Sequence, residues 1–133
     1  MSRANVAAAK RIYQARNRWD VDAVLAECAP EVTWQPHLAT LGGIPIRGHD
    51  GVRDYMRSLQ EDWEFFRHEP EEFIDAGGDK VVALLHTYAR GRESGVDVDV
   101  AVAHVLTFKD GKCMGYVSYQ DREQALKDAL RKG

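Results

Sequence analysis

Val98-Asp99-Val100-Ala101-Val102-Ala103-His104-Val105-Leu106-Thr107-Phe108 is the stretch whose reading decides the fold. Val98, Val100, Val102, His104, Leu106 and Phe108 recur at every second position, and in an extended chain residues i, i+2 and i+4 share a face. The stretch is a strand with one face that is apolar except for a single imidazole. Such a group is either satisfied by a local hydrogen bond or put to chemical use.

Neighbouring segments extend the pattern. Phe65 to Ile74, Val81 to Arg92 and Lys112 to Gln120 also read as strands, and short turns join them to the first. Ahead of them, Ala4 to Arg18 is alanine-rich with two adjoining apolar rows, Val6, Ala9, Tyr13 and Ala8, Ile12, Ala15, which predicts an amphipathic helix. Asp20 is placed to cap a short second helix through Glu27, ended by Pro30. Val32, Trp34 and Pro36 alternate as a short first strand whose proline suits an edge. The glycine-rich stretch Leu38 to Gly48 reads as a loop of the kind that rims pockets. His49 to Trp63 predicts a third helix with Val52, Tyr55, Met56, Leu59 and Trp63 on its inner face. Asp121 to Arg131 closes the chain as a capped terminal helix. Helices first and consecutive strands after them give an α+β domain with an antiparallel sheet, in the order ααβαββββα.

With 133 residues the chain fits one domain, 1–133, able to bury a core of its own. Hydrophobic residues at 44% and charged residues at 29% are ordinary for a folded protein, which argues against disorder. A net charge of −3 without a basic stripe argues against nucleic acid as a partner. No apolar run approaches the roughly 20 residues of a membrane span, and no signal-like segment opens the chain, so a cytoplasmic protein is expected. Cys28 and Cys113 lie outside any CxxC spacing and are expected as free thiols, although sequence leaves open whether they meet in space. His37, His49, His68 and His86 share no ligand spacing, and no phosphate-cradling glycine motif occurs, so neither a metal nor a cofactor is expected.

Strand registers bear on function. A two-residue Ser94-Gly95 turn would pair Arg92 with Asp97, Arg90 with Asp99, Leu85 with His104, Thr87 with Val102 and Ala89 with Val100. In the next hairpin a two-residue Asp110-Gly111 turn sets His104 opposite Val117, and a three-residue turn with a bulge sets it opposite Tyr116. Both remain open.

Ala15-Arg16-Asn17-Arg18-Trp19-Asp20-Val21-Asp22, Pro30-Glu31-Val32-Thr33-Trp34, Arg47-Gly48-His49-Asp50-Gly51-Val52, Leu106-Thr107-Phe108-Lys109-Asp110-Gly111-Lys112 and Tyr119-Gln120-Asp121-Arg122-Glu123-Gln124-Ala125-Leu126 together resemble the SnoaL-like family of the nuclear transport factor 2-like (ketosteroid isomerase-like) superfamily. The resemblance implies a curved sheet wrapped around helices to form a cone-shaped pocket, and a homodimer formed through the sheet's outer side. It implies little about activity, because one fold hosts many functions. Ketosteroid isomerases rely on a carboxylate base and a tyrosine–aspartate oxyanion hole; the corresponding positions here are Pro36, Ile12 and His104. The positions that limonene-epoxide hydrolases use read Trp34, Pro36, Ser118, Leu85 and Thr87. Neither machinery is present.

What remains is His104 as a candidate acid or base and Tyr116 as a candidate donor to an oxyanion, acting on a small apolar or aromatic carbonyl compound in an isomerase, cyclase or lyase reaction. Tyr13, Trp34, Tyr55, Leu59, Leu85, Thr87, Val102 and Ser118 are the candidate substrate contacts. The alternative is a non-catalytic binder of an apolar small molecule, or a dimerisation scaffold with the same fold.

Overall fold

The computed structural model describes residues 2–36 and 44–131. His37 and the expected loop residues 38–43 lie outside the described residues. Helix α1 (Ser2–Asn17) leads into α2 (Val21–Ala26), strand β1 (Cys28–Gln35), the two-residue β2 (Ile46–Arg47) and helix α3 (Gly48–Asp62). Strands β3 (Trp63–Gly77), β4 (Lys80–Gly91), β5 (Asp97–Lys109) and β6 (Lys112–Tyr119) follow, and α4 (Arg122–Leu130) ends the described chain. The expected order holds, with β2 as an addition. The strands form a curved, unclosed sheet in the order β2-β1-β6-β5-β4-β3.

Local chemistry sets the element boundaries. Asp20 accepts from the Ala23 amide and caps α2, which ends at Ala26, so that Pro30 falls inside β1 instead of marking a helix end. Helix α3 stops one residue short of Trp63, which enters β3. The Arg92 side chain donates to the carbonyls of Gln60, Glu61 and Trp63 at this junction, satisfying acceptors that the helix end leaves open.

Two layers cover the sheet. On the concave face α1, α2 and α3 pack Ala9, Ile12, Tyr13, Val24, Leu25, Val52 and Met56 against Trp34, Leu85, Val102, Leu106 and Tyr116. On the convex face α4 lays Ala125 and Ala129 over Val82, Ala103 and Val105. The alternation read from β5 is borne out: Val102 and Leu106 belong to the inner core, Ala103 and Val105 to the outer one.

The sheet departs from the expected pairing in three places. β1 and β6 run parallel, so the sheet is antiparallel everywhere but at this seam. Cys28 and Cys113 are register partners across it, buried and unbridged. The β4–β5 hairpin pairs Arg90 with Asp97, Ala83 with His104, Leu85 with Val102, Thr87 with Val100 and Ala89 with Val98, two residues away from the expected partners. The turn is wider than Ser94-Gly95: Gly91 donates to the Val96 carbonyl and Gly95 to that of Gly91, while Arg92 is drawn to α3. A shift of two keeps every side chain on its face.

The β5–β6 hairpin takes neither expected register: His104 faces neither Val117 nor Tyr116, although the hairpin has the two-residue turn of one expectation and the bulge of the other. Lys109 pairs with Lys112 across an Asp110-Gly111 turn in which both residues have positive φ, 52° and 80°. A bulge between Thr107 and Phe108 then inserts Met114, so Leu106 pairs with Tyr116 and His104 with Ser118. The extra residue moves Tyr116 and Ser118 onto the face of His104.

The β1–β6 seam requires glycine at 115. Gly115 sits opposite Thr33, and a Cβ there would lie 2.0 Å from the Thr33 carbonyl oxygen. Gly115→Ala is expected to lower unfolding stability by about 3 kcal/mol in a urea titration, near the top of the usual range for one substitution. A change below about 0.5 kcal/mol, the scatter of ordinary surface changes, would contradict the close approach.

Candidate functional site

Four neighbouring strands and α3 enclose a hollow of about 110 Å³, far more than the roughly 10–15 Å³ that one water requires. Val98, Val100, Val102 and His104 of β5 form one wall, Thr87 of β4 and Phe66 and His68 of β3 the next, and Tyr116, Ser118, Gln120 and Pro36 the third. Tyr55 reaches in from α3. Val100 is 42% exposed at the rim, whereas His104 at the deep end is 2% exposed. The hollow therefore has an open mouth, where Val100 and Gln120 are exposed, and a polar floor.

His104 is held on several sides. Its Nδ1 shares a 2.7 Å hydrogen bond with the Tyr13 hydroxyl, which α1 delivers from across the core. Its ring stacks on Tyr116 with centroids 4.4 Å apart, and His68 meets it edge-on at 5.2 Å. Among the described residues Nε2 has no partner of its own. His68 in turn bonds Thr87 through Nδ1 at 2.9 Å, and Asn17 clamps its backbone, donating to the carbonyl and accepting from the amide.

Beneath the floor lies Arg16, buried at 5% exposure. Its guanidinium carbon sits 4.6 Å from the Trp34 ring centroid and 5.7 Å from that of Tyr116, and Nη1 donates to the Tyr116 hydroxyl at 3.4 Å. Among the described residues no carboxylate pairs with it. Burial works against its charge and the oxygens of Tyr116, Tyr55 and Tyr13 favour it, and the guanidinium stays protonated.

Burial and this buried cation act together on the imidazoles. Both depress the basicity of His104 and His68 well below the usual histidine range, burial being the larger cause, so both rings are neutral at physiological pH. Burial raises Tyr13 and Tyr116, with Arg16 opposing, and both remain phenols. The floor offers neutral imidazole and hydroxyl groups with one fixed positive charge behind them. No carboxylate lines the hollow among the described residues, and no three His, Cys, Asp or Glu side chains there converge as metal ligands.

Of the expected site residues, His104, Tyr116, Tyr55, Thr87, Val102 and Ser118 line the hollow together. Tyr13 does not line it; it reaches His104 from behind. Trp34 lies beneath, packed edge-on to Tyr55 and tilted against Tyr116. Leu85 is wholly buried in the inner core, and Leu59 packs behind Phe66, so neither reaches the lining. His68 and Arg16 were not expected. His68 was readable as the alternate neighbour of Phe66 on a strand, and Arg16 as the fourth member of the Ala9, Ile12, Tyr13 helical row. His49 and His86 stand elsewhere, on the Cys28 carbonyl and beside Asp99.

The two neutral imidazoles link the site to stability. Their folded-state basicity lies below the unfolded value of 6.5, so as pH falls through 6.5 the unfolded chain binds protons that the folded chain refuses. Stability is then lost by up to about 1.4 kcal/mol per pH unit for each histidine, and is insensitive to them well above 6.5. Thermal melts between pH 7.5 and 5 are expected to show this slope, with His104→Asn reducing it. A melting temperature flat across that window would contradict neutral burial.

A family model described as the SnoaL-like domain matches residues 9–116. Among curated protein sequences none matches. Among solved structures, an NTF2-like protein of unknown function from Burkholderia pseudomallei is similar over 93% of this chain and 95% of its own, at 27% identity and a TM-score of 0.77. TerC, co-crystallized with polyporic acid, is similar over 97% of this chain and 99% of its own, at 23% identity and a TM-score of 0.75. A Xanthomonas campestris protein described as a candidate polyketide cyclase shares 15% identity over 96% of this chain and 98% of its own, with a TM-score of 0.73. The last two likenesses, below 25% identity, establish the fold alone. With well over half of its residues matched by the family model, and with the curved sheet and helices of its structural neighbours, the chain belongs to the SnoaL-like domain family.

Proposed function

We propose that the hollow is a substrate site in which His104 moves a proton on a small apolar or aromatic carbonyl compound. The observation that carries this reading is the 2.7 Å bond between Tyr13 and His104 Nδ1, which occupies one ring nitrogen from behind and leaves Nε2 for a bound molecule. When Nδ1 carries the proton it donates to the Tyr13 oxygen, and Nε2 is a neutral base. An α-carbon C–H bond then breaks toward Nε2, and its electron pair forms the C=C bond of an enolate. The carbonyl oxygen takes the negative charge and receives a hydrogen bond from the Tyr116 hydroxyl. Return of the proton to another carbon is isomerisation; loss of a β-substituent is elimination; attack on a second carbonyl is cyclisation.

The mostly apolar lining supports a substrate held by shape and burial, with few polar anchors. Structural neighbours described as candidate polyketide cyclases, and TerC with polyporic acid, lend this reading support at the level of the fold. Among the described residues no carboxylate lines the hollow, which favours the second reading, a binder of the same class of molecule without turnover. A homodimer through the outer sheet face, where Phe65 and Tyr88 are exposed and His86 stacks on Tyr88, belongs to the proposal, as does a cytoplasmic setting that keeps the two thiols reduced.

The test is deuterium incorporation into 2-tetralone, an aromatic ketone with acidified α-hydrogens, followed by proton NMR in D₂O. The native protein is expected to exceed the buffer rate, and His104→Ala to lose a factor of about 10²–10⁴. Binding of 2-tetralone with exchange at the buffer rate would leave the binder reading. Undiminished exchange by His104→Ala would remove His104 from the chemistry.

A further inference from the structure

Among the described residues the charge beneath the floor has no carboxylate partner. Arg16 is 95% withdrawn from solvent and donates to a neutral phenol at 3.4 Å, and among the described residues it meets ring faces where a buried guanidinium ordinarily meets a carboxylate. Burying a cation without an anion is costly unless something else in the site supplies the negative charge. Tyr116, whose hydroxyl receives the Arg16 hydrogen bond, also lines the hollow, and Tyr55, reaching in from α3, lies within the field of the guanidinium. Among the described residues, neither the lining nor the neutral histidines provide a countercharge. The hollow is thus a mostly apolar chamber with a positive charge behind its floor, the end that favours an anionic oxygen.

We propose that the molecule bound in this hollow is a ring-bearing anion, a carboxylate or an ionised enol or phenol, whose negative oxygen accepts from Tyr116 with Arg16 as the countercharge behind it. The inference rests on the substrate-site reading and narrows its substrate class. Arg16 is a positioning residue here: it acts through the Tyr116 hydroxyl, which becomes a better donor because its own oxygen accepts from a cation. For the enolate chemistry the consequence is direct, since the charge that forms on the carbonyl oxygen appears where the positive field already points. A substrate that arrives as a β-dicarbonyl enolate or a phenolate would carry that charge from the start.

The experiment compares two matched pairs by titration calorimetry at pH 8: benzoate against benzamide, and 4-nitrophenolate against 4-nitroanisole. The native protein is expected to bind at least one anion ten-fold or more tightly than its neutral partner, and which pair shows the preference separates carboxylate from phenolate recognition. Arg16→Met is expected to bring the ratio within about two-fold while keeping the neutral compounds bound. This variant should fold, because an apolar side chain of similar length removes the desolvation penalty of a buried charge. A measurement on the native protein alone guards against a folding failure: the absorbance of bound 4-nitrophenol should show it ionising at lower pH than in free solution. Neutral partners bound as well as the anions, an unchanged preference in Arg16→Met, or bound 4-nitrophenol ionising at higher pH would each overturn the inference and leave the pocket intact. Failure of all four compounds to bind would overturn the substrate-site reading itself.

Discussion

A single hydrogen bond joins the first helix to the fifth strand: the Tyr13 hydroxyl and His104 Nδ1, 91 positions apart in the chain, at 2.7 Å. A buried bond of this kind contributes only about 0.5–1.5 kcal/mol net, but leaving either partner unsatisfied costs about 1–3 kcal/mol. Helix α1 cannot shift or rotate without leaving a polar atom bare in the core. The same bond fixes the plane of the imidazole against Tyr116 and brings Arg16, one helical turn beyond Tyr13, under the floor. Wall and floor of the hollow thus share one anchor.

Two effects on His104 act in the same direction. Burial disfavours a charged ring, and the Arg16 cation repels a second positive charge. A histidine placed this way is a weak base in the ground state. As the proposed base it would become effective only when the proton it takes leaves a negative charge nearby, because that charge offsets both penalties. In the proposed reaction, proton transfer and oxyanion formation are thereby coupled through the site's electrostatics, and an unproductive protonation from water is disfavoured. His68, tied to Thr87 and to Asn17, completes the neutral polar floor and braces the ring from the side.

Much of this was legible from residue patterns. Period-two alternation in β5 assigned His104 to the inner face with Val98, Val100 and Val102, and helical spacing assigned Tyr55 to the inner face of α3. Registers were less legible, because they depend on interactions outside the hairpins. Arg92 leaves its hairpin to satisfy the end of α3, which widens the turn and moves the Arg90 partner to Asp97. The bulge at Met114 has no local signature beyond the glycine beside it, which is there because the Thr33 carbonyl approaches so closely. Arg16 was hidden because a charged residue near a helix end ordinarily faces water. Only the packing of Trp34 and Tyr116 shows that its guanidinium is folded inward.

The central claim is that His104 is a neutral imidazole, tied to Tyr13 through Nδ1 and open through Nε2. Nitrogen-15 NMR of the histidine rings reads protonation state and tautomer at each nitrogen, and Tyr13→Phe identifies the Nδ1 signal. One neutral tautomer persisting as pH falls through the ordinary value of 6.5, with Nδ1 displaced by Tyr13→Phe, is the expected result. A His104 ring that titrates near 6.5 and ignores Tyr13→Phe would be an exposed, unanchored imidazole, and the account of the site would fall with it.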